Sequence, residues 1–167
     1  ETRTGQTRCK VCLLVKKERR KEKKKLTKKW IAKETKRLHK KAWENMSMYI
    51  RVQHADMAGY VKCYTCDAIR HWKTVQGGHY WHRTLDFDER NIHPQCPRCN
   101  MRESRGGLGG NLNVYATKLL RDHGEEWMMD LAKDAQIARK YTIEELENII
   151  KDLKQKIIIL NDYKNLI

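Results

Sequence analysis

The sequence predicts a mostly helical α+β protein, with a small metal-stapled unit set between a long basic amino-terminal helix and several carboxy-terminal helices. Three observations carry this. From about Val15 to Met57 the chain is rich in Lys, Glu, Arg and Ala and has neither Gly nor Pro, a composition of high helix propensity. Two C-x-x-C pairs, Cys63/Cys66 and Cys96/Cys99, are separated by 29 residues of turn-rich chain that has little core of its own. Thr142, followed three residues later by Glu145, is a capping-box pattern at the head of an apolar rhythm. The expected units are a short Cys-pair segment (1–15), a basic helical arm (16–58), a metal-stapled core (59–124) and C-terminal helices (125–167).

The arm is defined by its charge. The 167 residues carry 36 Lys+Arg against 21 Asp+Glu, a formal net charge of +15, with a mean hydropathy of -0.87. Between Lys16 and Lys41 stand 15 Lys/Arg and 3 Glu, so this stretch alone holds +12. Three Glu cannot balance fifteen cations through i,i+4 pairs, although a merely solvated helix is the plain alternative. Charge gathered on one arm points to a polyanionic partner such as duplex DNA. Lys17, Arg20, Lys24, Lys28, Lys36 and Arg37 are the expected phosphate contacts, which give affinity without sequence readout. No apolar stretch approaches the ~20 residues of a membrane span, so no membrane partner is expected. Val11–Val15 is too short for a signal-peptide core, and the chain reads as intracellular.

Apolar residues are sparse in the first half of the arm (Leu26, Trp30) and denser in the second (Leu38, Ala42, Trp43, Met46, Tyr49, Ile50). The first half is therefore expected in solvent or on DNA and the second half packed, with Gly59 ending the helix. Short β pieces are expected around Tyr60–Tyr64, His79–Trp81 and Ile92–Gln95, and the glycine-dense run Ser104–Gly110 reads as a mobile loop or a connector. A helix is expected from Asn111 or Asn113 to the stop at Gly124, and a second over about Glu125–Arg139. The last helix, from Thr142, carries Leu146, Ile150, Leu153, Ile157, Leu160 and Leu166/Ile167 in an approximate 4-3-4-3 rhythm. That stripe either docks on its own domain or forms a dimer seam.

All six cysteines fall in C-x-x-C pairs, which in an intracellular chain read as zinc ligands before disulfides. Cys63, Cys66, Cys96 and Cys99 together complete one closed tetrahedral zinc site. Cys9/Cys12 has no matching pair. A metal there would need His39, His54 or another chain's cysteines, and free thiols are the alternative.

Framed by the two zinc pairs run Gly77-Gly78-His79-Tyr80-Trp81-His82-Arg83 and Phe87-Asp88-Glu89-Arg90-Asn91-Ile92-His93-Pro94-Gln95-Cys96, with Asn100 directly after Cys99. This order resembles the ββα-metal (HNH, His-Me finger) nuclease core of the zinc-stapled, endonuclease VII-like type. It resembles the phage NinG/Rap recombination family more closely still, through G-H-Y, F-D-E-R-N-I-H-P-Q-C-x-x-C-N and the later G-N-L-x-x-Y (Gly110, Asn111, Leu112, Tyr115). The resemblance covers roughly residues 60–135 and implies a metal-dependent, structure-selective endonuclease acting on branched recombination intermediates such as Holliday junctions and D-loops. A homodimer would suit paired cuts, and the host-cell cytoplasm is the implied location.

Phosphodiester hydrolysis needs a base for water and a cation at the scissile phosphate. The resemblance assigns the base to His79, the support of its loop to Asn91, and the first divalent-ion ligand, for Mg²⁺ or Mn²⁺, to Asn100. Many HNH enzymes place an Asp directly before the catalytic His, where Gly78 stands here, and the NinG pattern has an Asp where Gln76 stands. His82, His93, Asn111, or an acidic residue such as Asp88 or Glu89, is expected to complete the ligand set. Arg83, Arg90 and Arg98 are candidate phosphate clamps, with Arg102 and Arg105 beside them. Each assignment has a plainer reading: the histidines as hydrogen-bonded loop residues, the asparagines as turn or helix caps. Two other functions fit the same residues, a non-catalytic zinc-stabilised DNA- or junction-binding protein and a sequence-specific HNH nuclease.

Overall fold

The computed structural model describes residues 10–101, 103 and 106–165. Cys9, Arg102, Arg105, Leu166 and Ile167 lie outside the described residues. Among the described residues, five α-helices and four strands follow in the order α1 (Lys10–Gln53), β1 (Tyr60–Lys62), β2 (Ile69–His71), β3 (Gln76–His79), β4 (Ile92–Gln95), α2 (Pro97–Asn100), α3 (Leu112–His123), α4 (Glu125–Ala135) and α5 (Ile143–Lys164). None of the described helices is long and apolar enough to cross a membrane.

The two halves of α1 behave as their composition demands. From residue 13 to 33 every side chain is exposed, Trp30 and Leu26 included. From Leu38 onward most apolar positions are buried, with Trp43 and Met48 half-buried, and α1 becomes the spine of the protein. One face takes α5: Leu38 and Ala42 pack with Leu146 and Ile150, while Met46, Tyr49 and Ile50 pack with Leu153 and Ile157. Leu146, Ile150, Leu153 and Ile157 of the α5 stripe are thus buried against α1. The capping box at Thr142 and Glu145 forms as the residues dictate. At the far end, Lys164 Nζ donates to the carbonyls of Val52 (3.0 Å), Gln53 (2.8 Å) and Ala55 (2.5 Å), a cation placed at the negative C-terminal end of α1.

The other face of α1 takes the strands, which form two separate antiparallel pairs, β1–β2 and β3–β4. In the second, Gly78 faces His93 and His79 faces Ile92 across the ladder. α1 holds β3 and its approach through polar bonds: Ser47 Oγ accepts from Gly77 N at 3.1 Å, and Arg51 Nη1 donates to Trp72 O at 3.2 Å. Ile92 lies in the α1–α5 core, while Val61, Trp72 and Val75 pack on Val52 and Ala55.

Several boundaries differ from expectation for identifiable reasons. α1 is already helical at Lys10, so Cys12 lies inside it, and it ends at Gln53, ahead of Met57. β2 was not expected; its three residues Ile-Arg-His show no alternation to read. β3 covers Gln76–His79 and stops where a strand over His79–Trp81 was expected, because the Asn91 side chain takes the next pairing position. α4 ends at Ala135 and not near Arg139, and the following residues turn the chain back toward α5. α3 ends at Gly124 as expected, with φ +87° at that glycine.

Candidate active site and cysteine knot

The cysteine pairs that end β1 and β4 converge. The sulfurs of Cys63, Cys66, Cys96 and Cys99 all lie within 4.8 Å of one another, and Cys66 Sγ is 3.7 Å from Cys96 Sγ. Four thiolates around a zinc at about 2.3 Å would stand about 3.8 Å apart, so the spacing fits a tetrahedral metal such as zinc. The thiols are free, and only Cys66 faces solvent. Burial raises the Cys63 thiol, but backbone N–H groups led by that of Cys96 (3.2 Å) outweigh it and bring the pKa down to about 6. Burial pushes Cys99 up to about 12. A cation at the centre would let all four exist as thiolates.

Beside the knot, between α1 and the β3–β4 hairpin, lies a cleft of about 830 Å³. His39, Trp43 and Ser47, spaced four residues apart on one face of α1, form one wall; Gln76, His79, Arg83, Asp86 and Asn100 line the rest. The His79 ring stacks on Trp43 with centroids 3.9 Å apart and planes 13° from parallel. Burial, reinforced by His82 and opposed by Asp86, pushes the His79 pKa down to about 4. The imidazole is therefore neutral at pH 7. His82 is exposed, with its ring 5.0 Å from that of His79.

Asn91 is wholly buried and locks the loop that follows His79. Its Oδ1 accepts from Trp81 N at 2.7 Å, and its Nδ2 donates to Trp81 O (2.8 Å) and Leu85 O (3.0 Å). Asn100 ends the single turn α2 that begins just after Cys96, and does not open a longer helix. It faces the cleft, and its Nδ2 donates to Gln76 Oε1 at 2.8 Å, leaving Oδ1 as the oxygen it can offer a cation.

The acidic residue of the cleft is Asp86, and not Asp88 or Glu89 as expected. One Asp86 oxygen is 3.1 Å from His39 Nε2, and the other is 3.9 Å from His79 Nε2 and accepts from Arg83 N at 3.0 Å. Asp88 instead binds Arg90, and Glu89 binds Tyr49 and Lys156. The i, i+4, i+8 stripe of His39, Trp43 and Ser47 was the available signal for the α1 wall; nothing in the spacing singled out Asp86.

Other expectations find different places. His93 turns away from the cleft: its ring stacks on Tyr64 at 4.0 Å and Nδ1 lies 2.9 Å from Tyr115 Oη, which donates to Gly78 O. Asn111 is the N-cap of α3 by position, but it sits in the left-handed region (φ +50°) with no side-chain capping bond and does not line the cleft. Arg90 is committed to Asp88 and Asp134 and is not a free phosphate clamp. Arg37 is bound to Glu34. Lys17, Arg20, Lys24, Lys28, Lys36, Arg83 and Arg98 are exposed. Gly78 is glycine for a steric reason. A Cβ there would meet Gln95 Oε1 at 2.0 Å, and Gln95 is fully buried, its Nε2 donating to Thr65 Oγ1 and Gly110 O. An Asp at this position would point into the interior.

A mostly helical chain with a four-cysteine knot flanking a histidine-lined cleft defines a class of small proteins whose clustered thiols could hold a structural metal such as zinc. Residues 2–162 match the family model of the bacteriophage lambda NinG protein. The chain is 32% identical over 134 residues to "Protein ninG" of Escherichia phage 933W and of Escherichia phage lambda, and 31% identical to that of Salmonella phage P22. Each alignment covers 75% of this chain and 57–59% of the relative, so the chain spans little more than half the length of these relatives. The chain belongs to the NinG family. No solved structure matches it.

Proposed function

We propose that the protein is a metal-dependent endonuclease with an HNH-like ββα centre that cuts branched DNA. The observation that carries this reading is a neutral imidazole and an asparagine amide facing one cleft, beside a cysteine knot and at the root of a cationic helix. His79 takes the proton from the attacking water; stacking on Trp43 and the Asn91-locked loop fix where that imidazole stands. Asn100 Oδ1, with Gln76 and Asp86 as further oxygen donors in the same cleft, would hold Mg²⁺ or Mn²⁺, which neutralises charge at the scissile phosphate. The exposed half of α1 lies along the phosphate backbone of a duplex arm, and the product carries a 5′-phosphate.

A labelled four-way junction incubated with Mg²⁺ or Mn²⁺ should be nicked, with linear duplex cut less. His79→Ala should remove the cutting while leaving binding intact; unchanged cutting by that variant takes His79 out of the mechanism. One observation favours a second reading, a junction-binding protein without catalysis: the positions before His79 carry Gln76 and Gly78 where related nucleases place carboxylates. That reading expects salt-sensitive binding and no cleavage with any divalent ion.

A further inference from the structure

A second groove, of about 870 Å³, opens off the cleft and shares His39, Lys40 and Arg83 with it. It runs between α1 and the segment that joins α4 to α5. Its lining includes seven Lys or Arg side chains and no carboxylate. Arg37 is partly spent on Glu34 and Lys40 lies 3.8 Å from Glu44 in a loose exposed pair, which leaves Lys33, Lys36 and the weakly paired Lys40 on the α1 side and Arg139 and Lys140 opposite. Arg139 is not a loose surface cation. Its guanidinium lies over the Tyr141 ring at 5.1 Å, and that ring packs edge-on against Phe87 at 5.0 Å, which in turn lies 5.0 Å from His39. An aromatic floor thus ties the far wall of the groove to the cleft.

We propose that this groove is a phosphate track that carries the DNA strand onward from the His79 cleft, with Arg139 and Lys140 as its outer rail. The inference rests on the reading of the partner as DNA, and it gives the α4–α5 connector a role that charge counting assigned to the amino-terminal arm alone. Lys33 to Lys40 spans about 10 Å along α1, room for about three phosphates of one strand. Two facing rails of like charge with no acid between them repel each other unless an anion lies in the groove.

The test is a binding titration of labelled four-way junction by the full chain carrying His79→Ala, so that cutting does not intrude, across roughly 0.05–0.3 M salt. Adding Arg139→Ala and Lys140→Ala should make the log–log salt slope shallower by about 0.9 per lost contact, and weaken binding on the order of tenfold at about 0.1 M salt. Both side chains are exposed, so loss of the Arg139 contact with Tyr141 should lower the thermal midpoint by no more than about 4 °C. Lys151→Ala with Lys154→Ala removes the same charge from exposed positions of α5 and should leave the slope unchanged. A slope in the Arg139/Lys140 variant equal to its parent's, an equal loss from the α5 pair, or a parent that binds no DNA would each overturn the track. Failure of the cleavage reading shows separately, as a wild-type chain that binds along this slope and never cuts.

Discussion

Asn91→Ala is the sharpest probe of the hairpin that carries His79. The side chain has no solvent exposure and makes three bonds to the loop after β3, one accepted and two donated. Truncation leaves the Trp81 N–H and the carbonyls of Trp81 and Leu85 without partners. A buried polar group left unpaired costs about 1–3 kcal/mol. The low end is taken here, because Trp81 is exposed and water can reach its two groups once the loop moves, although Leu85 is buried. Three groups at about 1 kcal/mol each give a loss of about 3 kcal/mol, or roughly 6–12 °C in the melting midpoint of a domain of this size. Urea unfolding of wild type and variant, read as a shift in midpoint at constant slope, measures it. Asn91→Asp separates hydrogen bonding from volume. Its carboxylate has no donor for the two carbonyls, while the neutral acid can serve one of them. Its folded pKa is therefore raised, and its stability should be present at low pH and lost as pH rises through that value. A loss under about 1 kcal/mol in Asn91→Ala, or an Asn91→Asp profile parallel to wild type at all pH values, refutes the account of Asn91 as the lock of the loop.

Three further outcomes follow from other parts of the molecule. The Cys63/Cys66/Cys96/Cys99 knot should bind one zinc ion; Cys99→Ser or a strong chelator should remove it and lower stability by several kcal/mol, as metal analysis with a thermal melt would show, and a chelated protein that melts unchanged rules out a structural metal. His93, held down at about pKa 4 by burial, with His54 and His123 adding to the effect, stays neutral when folded, whereas the unfolded chain takes its proton near pH 6.5. Stability therefore falls as pH drops through the window from about 6.5 to 4, by about 2 kcal/mol between pH 7.5 and pH 5 from this residue, and His93→Gln should remove that share; an unchanged pH profile in the variant contradicts it. Gly78→Ala should cost about 2 kcal/mol or more, since Gln95 cannot yield without giving up its buried bonds, and a neutral result in a melt would show that it can.

How far these features could be read from residues alone depends on whether they are local. The Thr142/Glu145 capping box, the Gly124 stop and the split character of α1 are one-dimensional patterns, and each stands where the chain puts it. The cysteine knot was equally legible, because two C-x-x-C turns that converge leave few other arrangements. Asp86 and the α1 wall were not legible in the same way. What brings His39 and Trp43 to His79 is the packing of α1 against β3, and sequence separation says nothing about that crossing. The end of β3 was missed for a related reason: it depends on an Asn91 side chain imitating a strand twelve residues away.

The hairpin that bears His79 is anchored on two sides by unlike means. Ile92 on β4 belongs to the α1–α5 core, and Ser47 and Arg51 bind β3 and its approach directly, so one side is held by apolar burial and α1 hydrogen bonds. The other side ends at Cys96 and Cys99, where the sulfur knot holds the turn that carries Asn100. His79 and Asn100 therefore answer to different forces. Loss of the metal should loosen Asn100 and its bond to Gln76 first, while His79, stacked on Trp43, keeps its place as long as α1 and α5 stay packed. A cleft assembled across that divide keeps its Asn100 side dependent on the knot and its His79 side dependent on the helical core. This division lets so small an apolar core support a site with groups held in fixed relation.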